Sequence, residues 1–271
     1  MSDTIDVSLE ELRLSVSKAK LFKDCKKRYK FRYIEKVPSK DWEHLIFGSL
    51  VHKALEDFHL YYINNSFSSQ PFHITMKMAL KSALKDFKNK FTNEMKLEAW
   101  NLLGIYLKLI SNNFPNIISC EEDFNITFDN NIILRGFIDR VQIDPDGVIH
   151  VCDYKTSKSD KYLKGDSFQL LVYAYVMLLK NESLTKVRGS YIMVRDNFNM
   201  VGEDIDKPFE FERDEILGIK ELFQNYAVDI RQETEYVANP TVLCNWCDYV
   251  DQCPEGKKML FNKPFHGELA W

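Results

Sequence analysis

The sequence predicts an α/β fold, a mixed central sheet flanked by helices, with a helical insertion ahead of the sheet. Two observations carry this. Apolar residues recur at helical period through much of residues 15–113, switch to short-period alternation over 119–155, and return as helix, strand and helix over 167–233. Turn signals at Asp129-Asn130 and at Asp144-Pro145-Asp146-Gly147 divide the alternating stretch into a meander.

Residues 15–36, SVSKAKLFKDCKKRYKFRYIEK, read as one helix with Phe22, Cys25 and Tyr29 on an apolar stripe and basic residues around the rest. A loop through Pro38 leads to a second helix over 47–63, with Phe47, Leu50, Val51, Ala54, Leu55, Phe58 and Tyr62 facing inward. The helical pattern continues, interrupted near Pro71 and Asn93, until Pro115 stops it. Strands follow over 119–128, 131–143 and 148–155. Residues 167–180, SFQLLVYAYVMLLK, form an apolar helix, 187–195 a strand, and roughly 213–233 a helix before a cysteine-rich tail. The domain organisation expected is a single domain over 1–271, with a helical subregion at 47–118, a core at 119–195 and a cysteine-rich segment at 240–256.

With 45% hydrophobic and 28% charged residues the composition is that of a globular protein, and 10 Gly and 8 Pro leave little room for long disordered linkers. The net charge of -4 gives no global basic signature, so a nucleic-acid partner has to be read from local charge. The opening stretch MSDTIDVSLEELRL has no apolar h-region, and no apolar run reaches the length that spans a bilayer. A cytoplasmic protein without a membrane partner is expected. Its six cysteines then read as free thiols or ligands rather than disulfides. No G-x-x-x-x-G-K-[ST] occurs, so these residues carry no P-loop motor.

The turn at 144–147 decides which side chains meet. Pro145 sets φ for the first central position of a type I turn, Asp146 suits the next, and Gly147 can take the left-handed conformation. With Pro145–Gly147 as a three-residue loop, Asp144 pairs with Val148 and Asp139 lies opposite Asp153. Residues opposite one another, and residues two apart on a strand, share a face, so Asp139, Asp153 and Lys155 share one. Neighbouring carboxylates repel, and a hard divalent cation such as Mg²⁺ or Mn²⁺ relieves that repulsion. Such an ion activates water and stabilises charge on a phosphoryl group, while Lys155 orients the water or shares the negative charge. The plain alternative is a solvated hairpin face with a salt bridge between Lys155 and an aspartate.

The second constellation is Cys244-x2-Cys247-x5-Cys253, with Trp246 inside the knuckle and Pro254 after it. Three thiolates leave a ligand missing, and no second C-x-x-C supplies it. Cys120 and Cys152 read as core thiols, since Cys152 faces away from Asp153; Cys25 lies on an apolar stripe where burial alone would explain it. The spacing favours a metal site and leaves zinc and iron–sulfur both open.

These segments together resemble the PD-(D/E)XK nuclease superfamily, specifically the RecB-like exonuclease branch with an iron–sulfur cluster, as in AddB nuclease domains and CRISPR-associated RecB-like exonucleases. The opening helix, FGSLVHKALEDF, RGFIDRV, HVCDYKTS, FQLLVYAY and CNWCDYVDQC occur in the order of that branch. The resemblance implies a restriction-endonuclease-like core with an iron–sulfur-stapled C-terminus. It implies a [4Fe–4S] cluster on Cys25, Cys244, Cys247 and Cys253, and a Mg²⁺ or Mn²⁺ ion on His52, Asp139, Asp153 and the carbonyl of Tyr154. On its own chemistry His52 reads as a shoulder histidine beside Glu56 and His59; the resemblance makes it a ligand. Gln169 and Tyr173, four apart on one helix face, match Q-x-x-x-Y and are implied to position Lys155 or a DNA phosphate. Residue 138 is Ile where the superfamily's name has Pro, and 64–118 match no signature of it.

The function expected is metal-dependent hydrolysis of DNA phosphodiesters from single-stranded ends, 5′ to 3′. The setting would be recombination, repair, replication or CRISPR adaptation. The alternatives are a DNA-end binding or trimming subunit of a helicase or CRISPR integration complex, and a zinc-stabilised DNA-binding protein without catalysis. DNA contact is expected along residues 18–36, where nine Lys and Arg face only Asp24 and Glu35 and aromatic residues are interleaved. A solvated basic helix face is the simpler account of that charge. The acidic stretch at 203–215 is expected to face away from DNA.

Overall fold

The computed structural model describes residues 10–40, 42–65, 69–87, 90–160 and 163–261. Over them the chain runs β1 (Leu12–Leu14), α1 (Val16–Asp24), α2 (Lys26–Tyr29), a π-helical turn (Lys30–Ile34), α3 (Glu43–Asn64), α4 (Phe72–Asp86) and α5 (Asn93–Ile110). There follow β2 (Ile117–Phe128), β3 (Ile132–Ile143), β4 (Ile149–Lys155), α6 (Phe168–Lys180), β5 (Lys186–Met193), β6 (Asn199–Val201) and β7 (Phe209–Glu212). The chain closes with α7 (Arg213–Gln232), two 3₁₀ turns (Val242–Trp246 and Val250–Gln252) and α8 (Pro254–Phe261). The expectation drawn from the first nine residues lies outside the described residues, as do 66–68 and 88–89 within the stretch read as helical. The chain divides into two compact units, one of residues 1–40, 125–136 and 220–271, the other of 41–124 and 137–219.

In the first unit Ser15 caps α1, its hydroxyl accepting from the Lys18 N–H at 3.2 Å. The single helix expected over 15–36 is interrupted: Cys25 is extended (φ -160°, ψ 105°), and the chain restarts as α2 and tightens into the π turn. Tertiary contacts hold the break. The side-chain amide of Asn239 donates to the Asp24 carbonyl at 2.9 Å and its N–H to Cys25 Sγ at 3.5 Å. β1 runs parallel to the start of β3, Leu12 opposite Ile132 and Leu14 opposite Leu134. Asn130 and Asn131 (φ 61° and 53°) make the β2–β3 turn, since asparagine tolerates the left-handed region. Arg231 ties α7 to that turn through the Asn130 carbonyl and to the Glu10 carbonyl, each at 2.8 Å. Phe31, Tyr249 and Cys253 form a small buried cluster.

The second unit carries the mixed sheet. β3 and β4 are antiparallel, β4 and β5 parallel, and β5 is flanked by β6 and β7, both antiparallel to it. The helices α3, α4 and α5 share one core with the strands: Val51, Phe58, Leu80 and Leu103 pack in the cluster that includes Cys152, Tyr154 and Ile192. α6 is apolar nearly all round, and its residues from Val172 to Leu178 are all buried. The strands β6 and β7 were not legible as strands. They are three and four residues long, and the alternation Phe209-Glu210-Phe211-Glu212 is submerged in a stretch that reads as an acidic run. Among the described residues no helix is long and apolar enough to cross a membrane.

Candidate functional site

In the second unit the hairpin forms as its turn chemistry dictates. The Asp144 N–H bonds the Val148 carbonyl at 2.9 Å, the Gly147 N–H bonds the Asp144 carbonyl at 2.8 Å, and Gly147 takes φ 86°. The last ladder pair is Arg140 with Cys152, which places Asp139 opposite Asp153. Past that pair a side chain replaces the ladder: the Tyr154 N–H donates to Asp139 Oδ2 at 2.8 Å. The orientation of Asp139 is thus set by the main chain of the neighbouring strand. α3 comes close to the end of β4 because residue 48 is glycine; a Cβ there would lie 3.0 Å from Thr156 Oγ1. One turn further along α3 is His52.

His52 Nδ1 lies 3.3 Å from Asp139 Oδ2, and the His52 ring meets the Tyr154 ring edge-on. A ligand-type atom from each of His52, Asp139 and Glu121 lies within 4.8 Å of the other two. Glu121 went unrecognised in the sequence; the signal available was a run of three acids, Glu121-Glu122-Asp123, in the middle of a strand. Its carboxyl is pushed up to about 7 by burial and by the Asp139 and Glu56 charges. Burial alone would lower the His52 imidazole, but its contact with Asp139 and the nearby acids leave it above its ordinary value.

Asp153 stands outside that compact trio. It is 3% exposed, so the hairpin face is covered rather than solvated. Its Oδ2 lies 2.5 Å from Lys155 Nζ, while its Oδ1 accepts from Gln169 Nε2 at 2.7 Å and from the Tyr173 hydroxyl at 3.2 Å. Gln169 Oε1 accepts from Lys155 Nζ at 3.0 Å, and Gln169 Nε2 also reaches the Tyr173 oxygen at 2.7 Å. The Tyr191 ring lies under the Lys155 ammonium at 5.1 Å from its centroid. Burial raises the Asp153 carboxyl, Lys155 opposes that and Asp139 reinforces it. Burial and the Asp153 charge likewise raise the Tyr173 phenol, which therefore stays neutral and able to donate.

The donor set suits a hard or borderline divalent cation. Two atoms bound to one such ion at about 2.1 Å lie at most about 4.2 Å apart, close to the spacing of the trio, and an imidazole beside carboxylates favours Mn²⁺ slightly over Mg²⁺. Like charges gathered in a half-buried place also need a compensating cation. Other acids and histidines nearby serve elsewhere. Glu56 pairs with Lys53 at 2.9 Å, and the buried His59 bonds the Tyr106 hydroxyl at 2.6 Å. Burial holds His59 well below the usual imidazole range, as for a neutral core histidine.

In the first unit Cys25, Cys244, Cys247 and Cys253 line one recess, together with Lys27, Arg28 and Phe31. The Gly256 N–H donates to Cys253 Sγ at 3.3 Å. Burial pushes the Cys247 and Cys253 thiols up. No three of the four sulfurs fall within 4.8 Å of one another. Thiolates around one tetrahedral zinc at about 2.3 Å would lie about 3.8 Å apart. The other two cysteines, Cys120 and Cys152, are buried thiols of the second unit.

Of the basic residues in 18–36, some are engaged within the protein: Lys26 pairs with Glu233, Lys30 with Glu35 at 3.5 Å and Arg28 with Asp248 at 3.8 Å. Lys23, Arg32 and Lys36 are exposed. Phe22 and Tyr29 are buried and in edge contact at 5.1 Å.

Comparison with known proteins places these observations among relatives. The sequence model of the PD-(D/E)XK nuclease superfamily matches residues 13–254. An ATP-dependent helicase/deoxyribonuclease subunit of Streptococcus uberis is 24% identical over 188 residues, which are 64% of this chain and 17% of that protein. The chain thus spans about a sixth of that relative's length. A solved structure described as "Crystal structure of SSO0001" is 16% identical, covers 90% of this chain and 87% of its own, and superposes with a TM-score of 0.39.

Proposed function

The chain belongs to the PD-(D/E)XK nuclease superfamily, and on that premise we propose that it is a metal-dependent DNA exonuclease acting on single-stranded ends, with 5′ to 3′ polarity. The observation that carries the reading is the meeting of Asp139, His52, Asp153 and Lys155 at the end of one hairpin. In this reading His52, Asp139, Asp153 and the carbonyl of Tyr154 hold Mg²⁺ or Mn²⁺. When bound, the cation lowers the pKa of water and neutralises charge on the phosphate. Asp153 then gives up part of its contact with Lys155. The freed ammonium faces the scissile phosphate, where it stabilises the negative charge that builds as water adds and the ester oxygen leaves. Gln169 keeps that ammonium in place, and Tyr173 keeps Gln169 and Asp153 in register.

The four cysteines hold a [4Fe–4S] cluster in this reading. Support comes from the four cysteines lining one recess and from Lys27 and Arg28 beside it, which offset the charge of an anionic cluster. The exposed Lys23, Arg32 and Lys36 supply phosphate contacts. The work served would be recombination, repair, replication or CRISPR adaptation in the cytoplasm. The test is degradation of end-labelled single-stranded DNA with Mg²⁺ or Mn²⁺, run against Lys155→Ala. Loss of metal-dependent cleavage with DNA binding retained is the expected result; cleavage undiminished by the substitution would refute it.

A second reading has a specific observation behind it, the similarity to one subunit of a helicase/deoxyribonuclease. The chain would then trim DNA ends within a helicase or CRISPR integration complex and turn over slowly alone. Adding an unwinding partner to the same assay separates the two.

A further inference from the structure

Glu121 departs from the regular geometry of its strand. It lies inside β2 with φ 46°, a left-handed value that non-glycine residues adopt only when their surroundings hold them there. That local conformation sets the direction in which the side chain leaves the strand, and a ligand-type atom of Glu121 lies within 4.8 Å of those of His52 and Asp139. Among the described residues the Glu121 carboxylate makes no hydrogen bond and no ion pair; the charges around it are the acids Asp139 and Glu56 and, acting against them, His52 and Lys53. Lys53 is itself paired with Glu56 and Asp57, so the half-buried Glu121 has no cation in direct contact.

We propose that Glu121 is a protein ligand of the divalent cation, completing a His52–Glu121–Asp139 set. This rests on the reading of the site as a metal centre and adds a ligand to it. β2 thereby supplies a third donor beside those from α3 and β3. An imidazole and two carboxylates from three separate elements bind the ion only when those elements are packed together.

Mn²⁺ binding to the full chain, followed by the electron paramagnetic resonance signal of free Mn²⁺, tests this without reference to activity. Glu121→Gln should weaken Mn²⁺ binding by about tenfold or more, with Asp139→Asn as the positive control and the exposed Asp123→Asn unchanged. Glu121→Gly separates strain from ligation. Glycine accepts the left-handed φ, so its melting temperature in chelator should equal or exceed that of the unaltered chain, while the rise on adding Mn²⁺ should shrink. Unchanged Mn²⁺ affinity in Glu121→Gln, with Asp139→Asn impaired, overturns the proposal and leaves the metal centre standing. Unchanged affinity in both variants overturns the metal centre as well.

Discussion

Gln169 bridges Lys155 and Asp153: its carbonyl oxygen accepts from the lysine at 3.0 Å while its amide donates to the carboxylate at 2.7 Å. A helix side chain therefore spans an ion pair formed by two residues of one strand, satisfying both partners at once. This bridge makes Gln169 a positioning residue, and its removal should be felt in turnover. Gln169→Leu is expected to lower kcat about tenfold to a hundredfold with KM for DNA little changed, as for residues that orient a metal site from behind. Tyr173→Phe removes two hydrogen bonds, the one to Asp153 and the one from Gln169, costs about 2 kcal/mol of stability, and should reduce kcat less. Steady-state kinetics and thermal melts of the two variants check both expectations.

Lys155→Ala should leave the folded chain less stable as well as inactive. Asp153 is buried and would lose the ammonium it pairs with, and breaking such a pair costs about 3 kcal/mol. Excess divalent cation should restore part of the melting temperature without restoring cleavage. Restored cleavage would show that Lys155 does only structural duty.

Stability should peak on the acid side of neutrality because of a pair outside the proposed centre. His150 Nδ1 lies 3.1 Å from Asp144 Oδ2, and its Nε2 bonds the Ser190 hydroxyl at 2.9 Å. Burial disfavours the imidazolium, but the Cys152 sulfur and the Asp144 carboxylate outweigh it and raise His150 to about 9. Against burial, contacts with His150, Gln142 and Arg188 depress Asp144 well below its ordinary value. A raised histidine contributes stability that is complete below its unfolded value near 6.5 and disappears as pH rises through about 9. A depressed aspartate contributes above its unfolded value near 3.8 and loses that contribution as pH falls. Chemical denaturation from pH 5 to 10 should thus show a decline of about 3 kcal/mol between about pH 6.5 and 9, absent in His150→Gln.

Cys25→Ser is expected to abolish the broad visible absorption of anaerobically purified protein and to lower its melting temperature, since cluster binding and folding of the first unit are linked. A colourless parent protein containing zinc would refute the cluster.

Charge removal at Lys23, Arg32 and Lys36 should reduce the slope of log K against log salt by about 0.7 for each phosphate that is no longer neutralised on single-stranded DNA. Anisotropy titrations in Ca²⁺ would measure it. An unchanged slope would place the DNA path elsewhere on the molecule.

Much of the site was legible because it depends on local rules. Pro145 and Gly147 specify a three-residue turn, the turn sets the register, and the register puts Asp139 opposite Asp153. Gln169 and Tyr173 needed only helical spacing to share a face. Glu121 and the break at Cys25 were not legible, since a left-handed residue inside a strand and an interruption of a helix obey no periodicity that an isolated segment displays. His52 could be placed on its helix from its spacing, but nothing local said that Gly48 would let α3 close on Thr156.

The sequence by itself determined the succession of the longer helices and strands from residue 47 onward, the hairpin register and the acids that share its face, because turn geometry and side-chain alternation act over a few residues. Only the tertiary structure decided that Glu121 turns toward His52 and that Asn239 meets the chain at Cys25. One is a left-handed residue inside a strand and the other an extended residue that interrupts a helix, and the contacts with segments remote in sequence that fix each exist only once those segments have packed.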